Sequence, residues 1–506
     1  MFTHITIRKN QYYDSVFLMG VNNRLSSVEG VLQSAVFMGS DANKEVLTGL
    51  GFNKIELQDA TANDLIVGVI SETQSAIDEI TKHLEGWLTE VTVSTTQTQI
   101  RSLGQALETR PDSNLVVISV PGEYAAAEAR RSLQAGKSVF LFSDNVSIED
   151  EIELKKYASE QGLLVMGPDC GTSLFRGVGI GFANSVRRGN IGVIAAAGTG
   201  LQEFTCGVHQ MGFGISHGIG TGGRDLSDSV GGLTTLTALK MLESDPSTQV
   251  IAIISKPPGI NTLQVLSEKI RECKKPVVCC FLGIDSDKVK VLNNLQLAET
   301  IDDTVRKVIK ALGVDVAPVD QSHPVGKKIE SGKFLRGVFA GGTFCYQSQQ
   351  ILKKAGFKVF SNTPLEKALL LESPNQSYQH SIIDMGDEYF LVGRPHPMID
   401  SKQRALRILQ EAKDPDIGIL LLDFILGYNA SNDPVGELIE SIQKAQSITK
   451  ARGYPLEVVA SVCGTENDFQ DLEMQKKILL DAGVRVFMSN AEATKYCIAL
   501  MKGSHD

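Results

Sequence analysis

The sequence lacks the features that place a protein in a membrane or on nucleic acid. No segment approaches the apolar length that spans a bilayer, and residues 1–10 have no apolar stretch of the kind found in secretory signals. The formal net charge is −10, whereas a sequence-independent nucleic-acid binder needs a basic surface that displaces counterions. We therefore expect a cytoplasmic protein that binds neither membranes nor nucleic acid.

Paired cysteines and the common nucleotide-binding loops are also missing. The eight cysteines form no C-x-x-C pair, so reduced thiols are expected rather than disulfides. There is no G-x-x-x-x-G-K-[ST] loop, and no G-x-G-x-x-G follows a strand. His209, His217 and His380 are isolated, without the spacing of metal ligands. We expect no metal.

Glycine, in contrast, is abundant, with 47 residues, and it clusters where apolar β-branched runs give way to helical patterns. These runs do not alternate with polar residues, so they predict parallel strands that are buried on both faces and joined by right-handed crossovers. The fold class is therefore multidomain α/β. The predicted parts are a small α+β domain (1–95), a strand-helix domain (96–186), a second α/β domain (187–315), a linker (316–333) and a third α/β domain (334–506).

The second and third α/β domains repeat one order of landmarks. In each, a strand ends at a Gly-Thr pair that opens a helix, at Gly198-Thr199 and at Gly342-Thr343. A Gly-Arg pair, a helix, an Asp-Pro pair and a further strand follow in both copies. Chance is a poor explanation of four landmarks in one order. Two like domains can form a single site at their junction.

The Gly-Thr pairs predict an oxyanion or phosphate site. A helix start leaves backbone N–H groups unpaired and carries a partial positive charge, and the glycines, including Gly200, allow an anion to approach closely. The alternative is that each threonine merely caps its helix in a tight turn. A single copy favours that alternative, but two copies at matching positions favour an anion site.

A second candidate site is the loop that contains Arg394 and His396. A histidine between two prolines lies in a rigid loop. Arg394 can hold a carboxylate or phosphate through two hydrogen bonds, and His396 can act as an acid, a base or a donor to an oxyanion. In the alternative interpretation the loop is structural and Arg394 pairs with Asp400.

Two further turns contain polar residues with open roles. The turn at residues 220–225 could present Arg224 to substrate and Asp225 or Asp228 to a partner or metal, or it could be a glycine-rich turn in which aspartate caps a helix. Cys170 could be a nucleophile. The alternative is a domain-closing turn in which Asp169 binds the backbone.

Several of these motifs together resemble a known family. Residues 112–313 resemble the α subunit of succinyl-CoA synthetase through Val120-Pro121-Gly122, the turn at 167–170, the strand and turn at 192–199, and Asp245-Pro246. Residues 334–502 resemble the second ligase-type domain of that superfamily. The N-terminal segment, with the stretch 38–45, resembles the FdrA family. The resemblance implies a Rossmann-like CoA-binding-type domain at 96–186 and flavodoxin-like ligase domains at 187–315 and 334–506.

The resemblance also implies a CoA-type pocket, formed by Pro121, Gly122, Ser143, Asp144, Asn145 and Asp169. Two departures argue against the full synthetase reaction. The stretch 281–286, which corresponds to the phosphohistidine loop, contains no histidine, and the glycine-rich loop that opens the CoA site is missing before Asn114. No ATP-grasp domain is evident. CoA is therefore left open as a ligand.

FdrA-type proteins are associated with oxamate carbamoyltransferase, which converts oxalurate and phosphate to oxamate and carbamoyl phosphate. The resemblance thus implies an enzyme subunit with phosphate as a substrate, a second small anionic substrate and other protein subunits, with homo-oligomers left open. His396, Arg394 and Arg224 are the predicted catalytic residues, and the phosphate would lie at Gly198, Thr199, Gly200, Gly342 and Thr343. The alternatives are an acyl-CoA synthetase and a non-catalytic scaffold that binds an anion.

Overall fold

A computed structural model describes residues 2–11, 13, 15–89, 100, 102–284, 295–315, 333–392 and 394–502. It contains two compact units, of which the first comprises residues up to Ile100 together with Val392–Arg394. In these described ranges, no helix combines the length and apolar character needed to cross a membrane. The predicted linker lies outside the described residues, except for Lys333.

The first unit is a small α+β domain built on an antiparallel sheet of order β1-β3-β2. Helices α1 and α4 cover one face of the sheet, where Leu25, Val67 and Leu84 belong to one buried cluster. Its elements are β1 (Phe2–Arg8), α1 (Ser15–Ser26), β2 (Val31–Met38), α2 (Asp41–Gly49), α3 (Lys54–Leu57), β3 (Leu65–Ser71) and α4 (Gln74–Thr89).

The second unit begins with a parallel three-stranded sheet of order β4-β5-β6. Alanines on one face of α6 and apolar residues of α7 pack against its strands. The elements are α5 (Leu103–Thr109), β4 (Leu115–Ile118), α6 (Gly122–Gln134), β5 (Ser138–Leu141), α7 (Ile148–Glu160) and β6 (Val165–Met166).

A seven-stranded sheet of order β13-β12-β11-β9-β10-β7-β8 follows. Strands β7 (Thr172–Phe175) and β8 (Val178–Gly181) form a hairpin that pairs antiparallel with β10, so residues assigned from sequence to the 96–186 domain belong to this sheet. The other elements are β9 (Arg188–Ala195), α8 (Gly198–Gln210), β10 (Ile215–Gly220), α9 (Leu233–Ser244), β11 (Val250–Ser255), α10 (Ile260–Glu272), β12 (Val277–Phe281), β13 (Gln296–Leu297) and α11 (Ile301–Ala311).

The last sheet is parallel, with five strands in the order β15-β14-β16-β17-β18. A 3-10 helix spans Lys367–Leu369. The other elements are β14 (Phe334–Phe339), α12 (Gly342–Lys354), β15 (Ser381–Asp384), α13 (Glu388–Leu391), α14 (Lys402–Ala412), β16 (Ile417–Ile425), α15 (Gly436–Ala451), β17 (Glu457–Cys463), α16 (Leu472–Asp481), β18 (Arg485–Phe487) and α17 (Asn490–Lys502).

The two larger sheets share a core of five parallel strands in one order. The order β10-β9-β11-β12-β13 corresponds strand for strand to β15-β14-β16-β17-β18, which agrees with the repeat in the sequence. Both are flavodoxin-like, with the strand order reversing between the first and third strands of each copy. Ligands of such sheets bind beyond the carboxyl ends of those two strands. The Gly-Thr pairs directly follow the first strand of each copy, so the predicted multidomain α/β fold positions both of them at a reversal point.

Candidate functional site

Both Gly-Thr pairs lie in the first turn of a helix that has no side-chain cap. The N-cap residues are Ala197 for α8 and Gly341 for α12, and neither supplies a side-chain acceptor. Among the described residues, the amides of Gly198, Thr199 and Gly200 donate no hydrogen bond. The threonines therefore do not cap their own helices, and α8 keeps unpaired N–H donors at its positive end.

The two helix starts meet within the second unit. The amide of Thr343 donates to Oγ1 of Thr199 at 3.4 Å, and a Cβ placed on Gly200 would lie 3.0 Å from Cγ2 of Thr343. Thr343 is buried, whereas Thr199 is partly exposed. We call Gly198-Thr199-Gly200 and Gly342-Thr343 the paired helix starts. Their positive ends lie side by side, as a site for one anion between two domains requires.

A buried hydroxyl group lies against this place. Thr172, at the start of β7, is 1% exposed, and its Oγ1 has no hydrogen-bond partner in the described structure. That atom would lie 3.1 Å from a Cβ on Gly198. Because an unpaired buried hydroxyl group costs free energy, a polar ligand at this place would gain a hydrogen bond from Thr172.

The turn before α12 is held by a buried ion pair. Asp423, at the carboxyl end of β16, accepts hydrogen bonds from the amides of Ala340 and Gly341 at 2.8 and 2.7 Å. Arg404 donates to the same carboxylate at 2.8 Å and to the carbonyl of Val338 at 3.0 Å. Burial lowers the pKa of Arg404, while the charge of Asp423 opposes that shift. The pair fixes the backbone that leads into the second helix start.

A second carboxyl group lies at the start of α12. Asp384 ends β15, its Oδ1 accepts from the amide of Gly386 at 2.9 Å, and its Oδ2 would lie 2.8 Å from a Cβ on Gly342. Burial raises the pKa of Asp384 to about 7, against the opposing effects of the Gly386 hydrogen bond and the charge of Lys256. Near neutral pH this group can therefore either donate or accept a proton.

His396 faces the same turn as a neutral ring. Its Nδ1 accepts from the amide of Met398 at 3.2 Å, which places the ring proton on Nε2. That nitrogen would lie 2.9 Å from a Cβ on Gly386. Burial, with a smaller effect from the charge of Arg404, lowers the pKa of His396 to about 4. At neutral pH the ring is an uncharged hydrogen-bond donor rather than a cation.

The residues of the predicted CoA-type pocket come together at the carboxyl edge of the β4-β5-β6 sheet. A Cβ on Gly122 would lie 2.3 Å from the carbonyl oxygen of Asp144, so only glycine fits there. Ser143 Oγ donates to the carbonyl of Val120 at 2.5 Å, and the amide of Asp169 donates to the carbonyl of Ser143 at 3.0 Å. Pro121 is the N-cap of α6 and makes no side-chain cap, and Asn145 has a φ of 52°.

The charges of several neighbouring residues affect the pKa of Asp169, which lies at this edge. It is accessible to solvent but lies in a concave region crowded with protein atoms. Loss of hydration raises its pKa to about 6, with smaller contributions from the charges of Asp144 and Glu388, and the charges of Arg224 and Lys256 act in the opposite direction. It is a second carboxyl group that titrates near neutral pH.

The turn at residues 220–225 has a clear structural role. Arg224 donates to Glu151 and to the carbonyl of Val146, both at 2.8 Å. Asp225 pairs with buried Lys155 and accepts from the amides of Thr234 and Thr235 at the start of α9. The structure thus favours the interpretation of this turn as a helix cap.

Asp228 likewise accepts from the amide of Thr262 at the start of α10. No group of three or more candidate ligands is arranged to hold a metal ion in the described ranges.

Two other residues are predicted from the sequence to act on a substrate, Cys170 as a candidate nucleophile and Arg394 as an anion-binding residue. Burial raises the pKa of Cys170 to about 12, so its thiol stays protonated and is a poor nucleophile. Arg394 is exposed and groups with the first unit. Its predicted role in binding substrate stays a prediction.

Sequence reasoning missed two polar residues beside the paired helix starts, Thr172 and Asp384, and a lysine at a neighbouring strand end, Lys256. Asp384 and Lys256 occupy one kind of position, where a fully buried parallel strand ends at the ligand-binding edge. A charged residue that ends a buried strand, as Asp384 ends Ser381–Asp384, or directly follows one, as Lys256 follows Val250–Ser255, is the signal that could have identified them. Nothing in the sequence distinguishes Thr172 from other strand threonines.

Comparison with known proteins gives matches to both ends of the chain. Residues 338–500 match the family model described as CoA-ligase, and residues 1–102 match the model described as AllF, heavy metal-associated domain. The protein YahF of Escherichia coli (strain K12) is 41% identical over 96% of this chain and 96% of its own length. The chain belongs to the FdrA family of succinyl-CoA-synthetase-like proteins.

A more distant relative of this FdrA-family chain agrees with that assignment. Subunit alpha 2 of succinate–CoA ligase (ADP-forming) from Archaeoglobus fulgidus is 27% identical over 40% of this chain and 70% of its own length. ATP citrate lyase from Methanothrix soehngenii is 14% identical, and the likeness covers 79% of this chain and 84% of that one with a TM-score of 0.37. That score is too low to support any conclusion about function.

The residues of the first domain do not fit a heavy-metal site. Heavy-metal sites use soft thiolate ligands, but the first cysteine of this FdrA-family chain is Cys170. The two histidines of residues 1–102 are engaged elsewhere, since His4 Nε2 bonds Thr6 at 3.0 Å and His83 stacks on Trp87. The match therefore concerns the fold of this domain and not a bound metal.

Proposed function

We propose that this chain is a subunit of an enzyme that transfers an acyl or carbamoyl group to phosphate, of the oxamate carbamoyltransferase type. The reaction converts oxalurate and phosphate to oxamate and carbamoyl phosphate. The observation that carries the proposal is the meeting of the paired helix starts beside the unpartnered hydroxyl group of Thr172. The unpaired amides of Gly198, Thr199 and Gly200, beside the positive end of α12, favour a dianion without a metal.

The neighbouring side chains suit a carbamoyl group as the second reactant. In the proposed reaction a phosphate oxygen attacks the carbamoyl carbon, the bond from that carbon to the oxamate nitrogen breaks, and the nitrogen takes up a proton. Neutral His396 can donate Nε2–H to the carbonyl oxygen as negative charge develops there. Asp384, whose pKa burial raises to about 7, is the proposed source of the proton.

The predicted arginines enter the proposal differently. Arg394 keeps its proposed role as the partner of a substrate carboxylate. Arg224 uses two of its nitrogens within the chain, so we propose that it acts through its charge on Asp169 and not by contact with substrate.

The proposed enzyme is cytoplasmic and contains other chains. The relative from Archaeoglobus is named as a subunit of a ligase, which supports a further subunit here.

The test is an assay of carbamoyl phosphate formed from oxalurate and phosphate by the purified chain together with the products of neighbouring genes. We propose that the hydroxyl groups of Thr199 and Thr343 donate to the anion beside the amides, so we expect the Thr199→Ala, Thr343→Ala double variant to lose at least about 100-fold in rate, the size of effect seen when oxyanion donors are removed. Full activity of an Arg394→Ala, His396→Ala double variant would remove the roles given to those two residues. An inactive wild-type assembly would contradict the proposal itself.

A second candidate function is synthesis of a CoA thioester. The compact edge formed by Gly122, Asp144 and Asp169, with the uncapped start of α6, supports it, as does the match to the CoA-ligase family model. It predicts that millimolar CoA raises the melting temperature, because a ligand bound only to the folded state stabilises that state. Absence of any shift would count against this candidate and leave the transferase proposal intact.

A further inference from the structure

Lys256 leaves the sheet beside the first helix start. Strands β9 and β11 are parallel neighbours in which Ala195 pairs with Ile254, and the amide of Ala196 donates to the carbonyl of Ile254 at 3.0 Å. Gly198 and Lys256 therefore follow the ends of two adjacent strands, β9 and β11. Both residues lie at the carboxyl edge of the sheet, where the strand order reverses.

The side chain of Lys256 extends toward the other domain of the repeat. Its Nζ lies 5.1 Å from the ring centroid of Tyr346, and Tyr346 is one turn beyond Gly342 in α12. A cation at that distance is attracted to the face of the ring. Lys256 thus follows strand β11, beside the start of α8, and its ammonium group lies near α12.

This ammonium group is not committed to an ion pair in the described ranges, and its residue is exposed. Its field nevertheless reaches both titrating carboxyl groups, since its charge opposes the rise in the pKa of Asp169 and of Asp384. Arg224 also acts on Asp169, but its guanidinium is tied to Glu151. Of these two cations, Lys256 is the one that makes no ion pair among the described residues.

We propose that Lys256 binds the anion held by the paired helix starts and supplies the full positive charge that the helix ends lack. The identity of that anion rests on the proposed function. Each helix end carries about half a unit charge, whereas phosphate brings nearly two negative charges into a place already bordered by Asp384. A lysine on a flexible stem can follow the phosphoryl group as it gains its acyl partner.

Calorimetric titration of the full-length chain with inorganic phosphate, at low ionic strength, tests this inference. Lys256→Met keeps the length of the side chain and removes the charge, and we expect phosphate affinity to fall about tenfold or more, with a weaker dependence on salt. Lys256→Arg should stay within about threefold of wild type, because it keeps the charge. Lys240→Met, at an exposed position of α9, is the matched control and should change nothing.

The phosphate titrations distinguish a failure of the proposed role of Lys256 from a failure of the anion site on which that role depends. Thr172→Val serves as the reference variant, because its hydroxyl group belongs to the anion site without carrying charge. If Thr172→Val weakens phosphate binding and Lys256→Met does not, Lys256 is no part of the site, although the site itself stands. If the wild-type chain binds no phosphate, both the site and the place of Lys256 in it are refuted. Melting curves of the variants confirm that each one folds.

Discussion

At the scale of single residues, the protonation state of Asp384 controls the charge at the second helix start. With a pKa of about 7, the group is neutral below that pH and repels anions above it. Sulfate is the appropriate probe, because its own charge is constant in this range. We expect wild-type affinity for sulfate to fall by about tenfold between pH 6 and pH 8, the equivalent of 1.4 kcal/mol.

In Asp384→Asn the sulfate affinity should be nearly independent of pH. Asp169→Asn is the companion variant, because loss of hydration raises the pKa of Asp169 to about 6. Its titration overlaps the lower part of the pH range, and the variant measures how much of the slope Asp169 contributes. A slope in Asp384→Asn equal to that of the wild type would show that another group is responsible.

Thr172 gives a prediction in which stability and binding change in opposite directions. Its buried Oγ1 has no partner, so Thr172→Val removes an unsatisfied hydroxyl group and keeps the shape of the side chain. We expect the ligand-free protein to be as stable as the wild type or more stable by up to about 2 kcal/mol, while phosphate affinity falls.

Ser173→Ala is the contrasting variant. Its hydroxyl group accepts from the amide of Gly220 at 2.9 Å, so its loss should lower the melting temperature. If Thr172→Val destabilises the protein as much as Ser173→Ala does, the hydroxyl group of Thr172 has a structural partner after all.

At the scale of elements, the separation of α8 and α12 depends on a glycine at their contact. A methyl group on Gly200 would lie 3.0 Å from Thr343 Cγ2, which is tighter than ordinary van der Waals contact and forces the helices apart. We expect Gly200→Ala to cost about 1–3 kcal/mol through overpacking and to weaken phosphate binding. Thermal melting and phosphate titration measure the two effects.

Gly86→Ala is the control at this scale. Gly86 lies inside α4, and a Cβ there would meet nothing within 4 Å, so alanine should stabilise the helix by up to about 1 kcal/mol. Phosphate binding by Gly200→Ala at wild-type strength would mean that the helices need not touch to hold an anion.

At the scale of the whole molecule, a buried carboxyl group links the two ligase-type domains. Glu203 of α8 accepts from the amide of Asn490 at 2.8 Å and from Gln347 at 3.3 Å. Burial, and next the charge of Asp302, raises its pKa above the ordinary value of 4.5. The folded protein therefore keeps a proton that the unfolded chain releases.

It follows that wild-type stability decreases as pH rises above 4.5, until Glu203 also ionises in the folded state. Glu203→Gln removes this decrease in stability, because glutamine does not ionise. The melting temperature of the variant should therefore exceed that of the wild type at pH 8 and approach it at pH 5. The expected difference is about 1.4 kcal/mol for each unit by which the pKa is raised.

Glu440→Gln, at an exposed pair with Lys444, should show almost no effect on melting at either pH. A melting difference between Glu203→Gln and the wild type that does not change with pH would contradict the assignment of this loss to Glu203.

The sequence alone determined the fold class and the positions of the two helix starts. Buried strand runs that lack alternation favour parallel sheets covered on both faces, and a Gly-Thr pair after such a run places a helix start at the carboxyl edge of the sheet in each copy of the repeat. These are local consequences of chain geometry. The meeting of Thr199 with Thr343, and the approach of Thr172, Lys256 and Asp384, were decided by tertiary structure. Those residues come from five separate segments, and only domain packing brings such segments together, since side-chain contacts between distant segments leave no periodic signal along the chain.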